Sequence, residues 1–187
     1  MSKAERPALF LDRDGTVNDD AGYHVLDYAD FRFLPGSLEA IVAFTRAGWP
    51  PIFITNQSCV ARGTITREGI DAIHARMTEE IRAAGGDVRD VFVCPHWDDD
   101  DCDCRKPKPG LFLQAARKYC LDLAHSVYVG DRVHDLVAAR AAGCRFVYVG
   151  KESLPLEAGM PDHATDSLRD AVPWILRALG PADEDSG

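Results

Sequence analysis

Five short apolar runs punctuate this chain: Ala8-Leu9-Phe10-Leu11, Pro51-Ile52-Phe53-Ile54, Val91-Phe92-Val93, Val127-Tyr128-Val129 and Phe146-Val147-Tyr148-Val149. Unbroken runs of this length, without polar alternation, suit strands whose sheet is covered on both faces. Helix-like segments lie between them, over residues 37–47, 66–84, 109–119, 134–142 and 167–179, the last interrupted near Pro173. Thr66 opens the second helix and Gly85-Gly86 stops it, which is good cap chemistry at both ends. Strands alternating with helices predict right-handed crossovers and an α/β, doubly wound parallel sheet of about five strands with helices on both faces. In such sheets ligands collect beyond the carboxyl ends of the strands, where strand order reverses.

The chain has 187 residues, enough for one well-buried core, with residues 1–7 and 181–187 read as flexible tails. A net charge of -9 argues against a nucleic-acid partner. It leaves room for a small phosphorylated substrate, because a cation and a few Arg and Lys can reverse the sign inside one pocket. No apolar run approaches the roughly 20 residues of a membrane span, so no membrane partner is expected. The polar start, Met1 to Pro7, has no signal-like apolar stretch, which points to the cytoplasm. A monomer is the default expectation.

The polar residues that follow the runs form a kit. Asp12-Arg13-Asp14-Gly15-Thr16 leaves the first run, Thr55-Asn56-Gln57 the second, Cys94 the third and Gly130-Asp131 the fourth. Of the two carboxylates at i and i+2, Asp12 and Asp14, one can attack phosphorus while the other sits over the leaving oxygen as general acid, its proton held by the neighbouring negative charge. Gly15 allows the tight turn that a phosphate needs to approach the chain. A phosphate dianion needs Mg²⁺ to approach a carboxylate, and Asp131 is the natural second ligand. Asp135 can join it, orient a neighbour, or interact with its helix dipole. Thr55 and Asn56 can donate to the transferring group, and Lys106 can balance its charge.

Cys94, His96, Cys102 and Cys104 place three thiolates and an imidazole within one loop, 94–104. In a reducing compartment this favours metal over disulfide, and tetrahedral Zn²⁺ accepts the set as a closed structural site. Arg105 and Lys106 follow directly, so the zinc loop is expected to pin them over the phosphate pocket. The acidic run 98–101 reads as a solvated loop face. Cys59, Cys120 and Cys144 read as ordinary thiols.

The ordered strings DRDGT, ITNQS, RKPKPG and VGDRVHD resemble the haloacid dehalogenase superfamily of phosphotransferases over about residues 8–150. The resemblance implies that Asp12 forms an aspartyl-phosphate, and that Asp14 protonates the leaving group and then activates water. It implies that Thr55 and Lys106 hold the phosphoryl group. Mg²⁺ would bind the Asp12 carboxylate, the Asp14 carbonyl and Asp131, with the first and fourth strands side by side. Residues 20–32 are too short for the cap domain of many members, so the site should be open, with selectivity in the loops 20–23, 58–63 and 94–106. These loops, through DRDGTVN, the DxGY segment, NQSCVARG and CDCRKPKPG, look like the D-glycero-D-manno-heptose 1,7-bisphosphate 7-phosphatase family. That likeness implies hydrolysis of the 7-phosphate, a phosphoric monoester, within heptose and lipopolysaccharide-type carbohydrate metabolism. It makes Asp20, Gly22, Tyr23, Asn56, Gln57, Ser58, Arg62, Arg105 and Arg132 the candidates for reading the sugar and its remote phosphate. Cys59 stands where that family has Gly. Histidinol-phosphate phosphatases share the zinc ligands and the CRKPK string and form the alternative. Receiver-like signalling modules also combine acids, Thr and Lys, but phosphorylate an Asp on a later strand.

Overall fold

The computed structural model describes residues 5–20, 24–151 and 154–182. Six strands form one parallel sheet: β1 Leu9–Leu11, β2 Ile52–Asn56, β3 Asp90–Cys94, β4 Val127–Gly130, β5 Arg145–Val149 and β6 His163–Thr165, in the order β3-β2-β1-β4-β5-β6. Four helices connect β1 through β5, α1 Ser37–Arg46, α2 Arg67–Ala83, α3 Gly110–Tyr119 and α4 Val133–Ala142, and α5 Leu168–Leu179 follows β6. Strand order reverses at β1, whose neighbours are β2 and β4, and the register sets Leu11 beside both Phe53 and Val129.

The alternation of side chains along each strand divides the core into two layers. Leu9, Leu11, Phe53, Val127 and Val129 face α1, α2 and α5, whereas Phe10, Ile52, Ile54, Tyr128 and Phe146 face α3 and α4. The second layer contains a row of aromatic contacts, Phe10–Phe112–Tyr128–Phe146, with centroids 4.9 to 5.8 Å apart. Both faces of β1, β2 and β4 are covered, which is why these strands read as unbroken apolar runs.

Two expectations need correction. The sheet has six strands, not five, because His163-Ala164-Thr165 pairs with Val147 to Val149 at the sheet edge. An edge strand half open to solvent needs no apolar run, and this one carries none. The fifth helix continues through Pro173. Pro173 forgoes one backbone hydrogen bond, while Leu168, Ala171, Ile175 and Leu179 bury a full apolar stripe across it. At the N-terminal end, Arg6 pairs with the backbone of Cys120 and Asp122. Between β1 and α1 the described residues hold one 3₁₀ turn, Tyr28–Asp30, and isolated bridges through Asn18, and no cap among them. No helix among them is long and apolar enough to cross a membrane.

The loop that carries the cysteines rests on the start of α3. A Cβ on Gly110 would lie 2.0 Å from the carbonyl oxygen of Asp103, a backbone atom that cannot swing aside. Gly110→Ala is therefore expected to lower unfolding free energy by about 1–3 kcal/mol in urea titration, although alanine favours helix. Unchanged or higher stability would show that the loop does not press on the helix.

Candidate active site and cysteine cluster

Asp12 leaves β1 with its N–H still on the ladder, donating to Val129 at 2.9 Å, and Asp131 leaves the adjacent β4. Gly15 makes their approach possible. It sits at φ +78°, and a Cβ there would fall 2.2 Å from Asp131 Oδ2. The Lys106 ammonium is buried between Asp12 Oδ1 at 2.8 Å, Asp135 Oδ1 at 2.7 Å and the Tyr128 hydroxyl at 2.8 Å. Its three protons are thus matched by three acceptors. Burial opposes the Lys106 charge, and Asp12 and Asp135 overcome it, holding the ammonium above its ordinary range.

Three carboxylates share this one lysine. Burial, then Asp135, pushes Asp131 up to about 7. Burial and the charges of Asp135 and Asp131 likewise push Asp12 up, against the pull of Lys106. Crowded, desolvated oxygen donors of one sign are what a divalent hard cation relieves, so Asp12 and Asp131 fit Mg²⁺. Asp12, His134 and Asp135 also bring ligand atoms within 4.8 Å of one another. Asp135, however, is fully buried and accepts from Lys106, the Tyr128 hydroxyl and the Arg132 N–H. Its geometry is that of an orienting group, one of the roles that the sequence left open.

Asp14 differs from the expectation in its surroundings. No negative charge holds a proton on it. Arg13 Nε and Nη2, Asn18 Nδ2 and Gln57 Nε2 all donate to its carboxylate at 2.7 to 3.0 Å. Burial alone would raise Asp14, but Arg13 first and then the two amides bring it below the usual range. Arg13 is fully buried, and its remaining Nη1 lies 2.9 Å from Nε2 of His74. Burial and the Arg13 charge push that imidazole down to about 3, so it is neutral and accepts.

A cavity of about 440 Å³ opens above Asp12, Asp14 and Thr55. Ser58, Arg62, Arg105, Arg132 and Asp20, all candidates from the sequence, line it as well. Arg62 stacks on Trp97 at 3.8 Å, Arg105 reaches Asp98 and donates to the His96 carbonyl at 3.2 Å, and Arg132 pairs with Asp20. Two candidates turn elsewhere. Asn56 lines the cavity but uses its amide to bracket the Lys106 peptide, accepting from its N–H at 3.1 Å and donating to its carbonyl at 3.2 Å. Gln57 is fully buried behind Asp14 and does not line the cavity, because it bonds Asp14 and Thr55 Oγ1. Gly22 and Tyr23 lie outside the described residues. Cys59 points inward to Gln57 Oε1 at 3.6 Å, away from the rim. Sequence reasoning missed Arg13, Tyr128 and His74, and also His24 and His134, both in the cavity wall.

The cysteine cluster forms as expected. Cys94 Sγ lies 3.6 Å from His96 Nδ1 and 3.7 Å from Cys102 Sγ, and Cys104 Sγ lies 3.2 Å from His96 Nδ1 and 3.5 Å from Cys102 Sγ. These separations are too long for disulfides, whose sulfurs are about 2.05 Å apart. Tetrahedral zinc, with bonds of about 2.3 Å to sulfur and about 2.0 Å to nitrogen, requires edges of about 3.5–3.8 Å. The donor set fits zinc, and three of the four separations match those edges, the Cys104–His96 one being shorter at 3.2 Å. Without a cation, burial and the neighbouring thiols push Cys104 well above the ordinary thiol range.

The neutral His74 generates a prediction for stability. Its ordinary value is 6.5 and its folded value about 3, so the unfolded chain takes up the proton first. The stability it contributes is complete above about pH 6.5 and is lost as pH falls toward 3, at up to about 1.4 kcal/mol per pH unit. Denaturant titrations across pH 4–7 should therefore show wild type losing stability faster than His74→Gln as acid is added. Parallel curves would mean that His74 is not held neutral.

Comparison with known proteins agrees with this site. A family model described as HAD-hydrolase-like matches residues 103–171. The chain is 42% identical over 159 residues to the D-glycero-β-D-manno-heptose-1,7-bisphosphate 7-phosphatase of Pseudomonas aeruginosa, covering 84% of this chain and 89% of that protein. To the protein of the same name from Vibrio cholerae it is 38% identical over 182 residues, 92% of this chain and 97% of the other. A crystal structure of D,D-heptose 1,7-bisphosphate phosphatase from Bordetella bronchiseptica, complexed with magnesium and phosphate, aligns with a TM-score of 0.82 at 37% identity, covering 91% of this chain and 98% of that one. Similarity of this depth across nearly the whole chain joins the motifs at the strand ends in one conclusion: the chain belongs to the D-glycero-D-manno-heptose 1,7-bisphosphate 7-phosphatase family of haloacid dehalogenase-like hydrolases.

Proposed function

We propose that this chain hydrolyses the 7-phosphate of D-glycero-β-D-manno-heptose 1,7-bisphosphate through a phosphorylated Asp12. The observation that carries the reading is the meeting of Asp12 and Lys106 at a cavity lined also by Arg62, Arg105 and Arg132, with the charge of Asp131 acting on Asp12 from the adjacent strand exit. The β configuration is taken from the names of the relatives. The Asp12 carboxylate, the Asp14 carbonyl and Asp131 would hold Mg²⁺, which would supply the charge neutralisation that lets a phosphate dianion meet a carboxylate.

Lys106 holds one Asp12 oxygen, leaving the other lone pairs to attack phosphorus. As the Asp12–phosphorus bond forms and the bond to the sugar oxygen breaks, Asp14 gives its proton to that oxygen. A phosphoryl group entering the cavity adds negative charge beside Asp14, which favours the protonated form that this step requires. The sugar leaves, a water takes its place, and Asp14 removes a proton from it as it attacks the phosphorus of the aspartyl-phosphate. Thr55, fixed by Gln57, and Lys106 hold the transferring group. Arg105, with Arg62 and Arg132, meets the far phosphate through forked donors suited to its oxygens. Ser58 and Asp20 face the sugar. Zinc in the cysteine loop would have a mechanical role, since Arg105 is bonded to the His96 carbonyl and Lys106 follows two residues after Cys104.

Phosphate release with Mg²⁺ should rank the β bisphosphate above its α anomer and above histidinol phosphate in kcat/KM. Asp12→Asn should lower turnover by about 10³-fold or more with the melting temperature retained. Higher kcat/KM on histidinol phosphate, or an active Asp12→Asn, would overturn the assignment. Purified protein should carry about one zinc per chain. Stripping it should raise hydrogen exchange at residues 94–106 before the sheet opens. A zinc-free chain with the loop still protected would remove the structural site.

A further inference from the structure

Arg13 is the largest of the fully buried side chains, yet its charge has no place in an apolar core. A buried cation persists only where its donors are satisfied. Here Nε and Nη2 grip the Asp14 carboxylate, and Nη1 meets His74 Nε2. A guanidinium can only donate, so Nε2 must accept and the imidazole proton sits on Nδ1. His74 in turn belongs to the buried stripe of α2, with Ile70, Ile73, Met77 and Ile81. A polar chain therefore runs from inside the core, through Arg13, to the one carboxyl in the cavity that must exchange protons.

That chain does more than neutralise Asp14. Arg13 bonds both carboxylate oxygens, Asn18 and Gln57 each bond one, and the Arg13 N–H donates to Asp12 Oδ1 at 2.8 Å. The carboxyl of Asp14 is left without rotational freedom relative to Asp12. We propose that Arg13, seated by neutral His74, is a positioning residue that aims the Asp14 carboxyl at the oxygen leaving phosphorus. The proposal rests on the reading of Asp14 as the proton donor given above. In that step the Asp12–phosphorus bond forms, the phosphorus–oxygen bond to the sugar breaks, its electron pair goes to the sugar oxygen, and the Asp14 proton neutralises that oxygen. A sugar alkoxide cannot depart without the proton, whereas p-nitrophenolate can. Misaiming Asp14 therefore harms the first substrate selectively, while a loosened fold harms both.

The test compares kcat/KM for heptose 1,7-bisphosphate and p-nitrophenyl phosphate, with Mg²⁺, in Asp14→Asn, His74→Leu, His74→Gln and Arg13→Lys. This ratio stops at departure of the leaving group and so leaves out hydrolysis of the aspartyl-phosphate. Asp14→Asn should lower the sugar value at least about 10²-fold more than the nitrophenyl value. His74→Leu and Arg13→Lys should show the same selective loss, about tenfold. His74→Gln, whose amide oxygen can accept from Nη1, should recover to within about threefold of wild type. Equal losses on both substrates, or none, in a folded His74→Leu or Arg13→Lys, beside a selective Asp14→Asn, would overturn the positioning role. A non-selective Asp14→Asn would instead remove the proton-donor reading, and the proposal with it.

Discussion

The carboxylates gathered at Asp12 depend on one buried ammonium. Lys106 lies beside the residue that leaves β1, and Asp12, Asp135 and Tyr128 take up its donors. Without it, Asp12, Asp131 and Asp135 would crowd together with nothing to hold them, and burial would drive them toward neutral, non-nucleophilic forms. With it, one lysine faces three carboxylates, and the surplus negative charge suits a divalent cation.

The rest of the chain is arranged to keep that lysine still. Asn56 at the end of β2 clamps its peptide on both sides, and the cysteine loop fixes the residue before it. Gly110 lets this loop lie directly on α3, and the aromatic row Phe10–Phe112–Tyr128 carries the Tyr128 hydroxyl to its place beneath. Core packing, loop and catalytic charge are thus one mechanical unit. The Asp14 side of the cavity is held by a separate unit, anchored in α2 through His74.

The sequence made the central strands and the polar residues at their exits legible because both obey local rules. A strand covered on two faces must be apolar throughout, and a ligand-facing residue must follow it directly. Asp12, Thr55, Cys94 and Asp131 satisfy that rule, and paired Cys and His at close spacing announce their cluster. What escaped was set by long-range contacts. Arg13 reads as a spacer between two acids until His74, 61 residues away, is seen to cap it. A signal for His74 existed, since it interrupts the spaced apolar stripe of α2, but such a position fits an ordinary core histidine equally well. Asn56 and Gln57 look like substrate donors in the string TNQ. Tertiary packing, not spacing, turns one toward Lys106 and the other behind Asp14. The sixth strand escaped because an edge needs pairing more than hydrophobicity.

The central claim is that phosphorus passes through two displacements, first to the Asp12 carboxylate and then to water. Its most direct test is the configuration at phosphorus, followed with a heptose bisphosphate whose 7-thiophosphate is made chiral by oxygen isotopes and hydrolysed in water of a third isotope. Two in-line displacements give inorganic thiophosphate with overall retention, the result predicted here. Inversion would mean that water attacks the substrate directly, and Asp12 could not be the nucleophile.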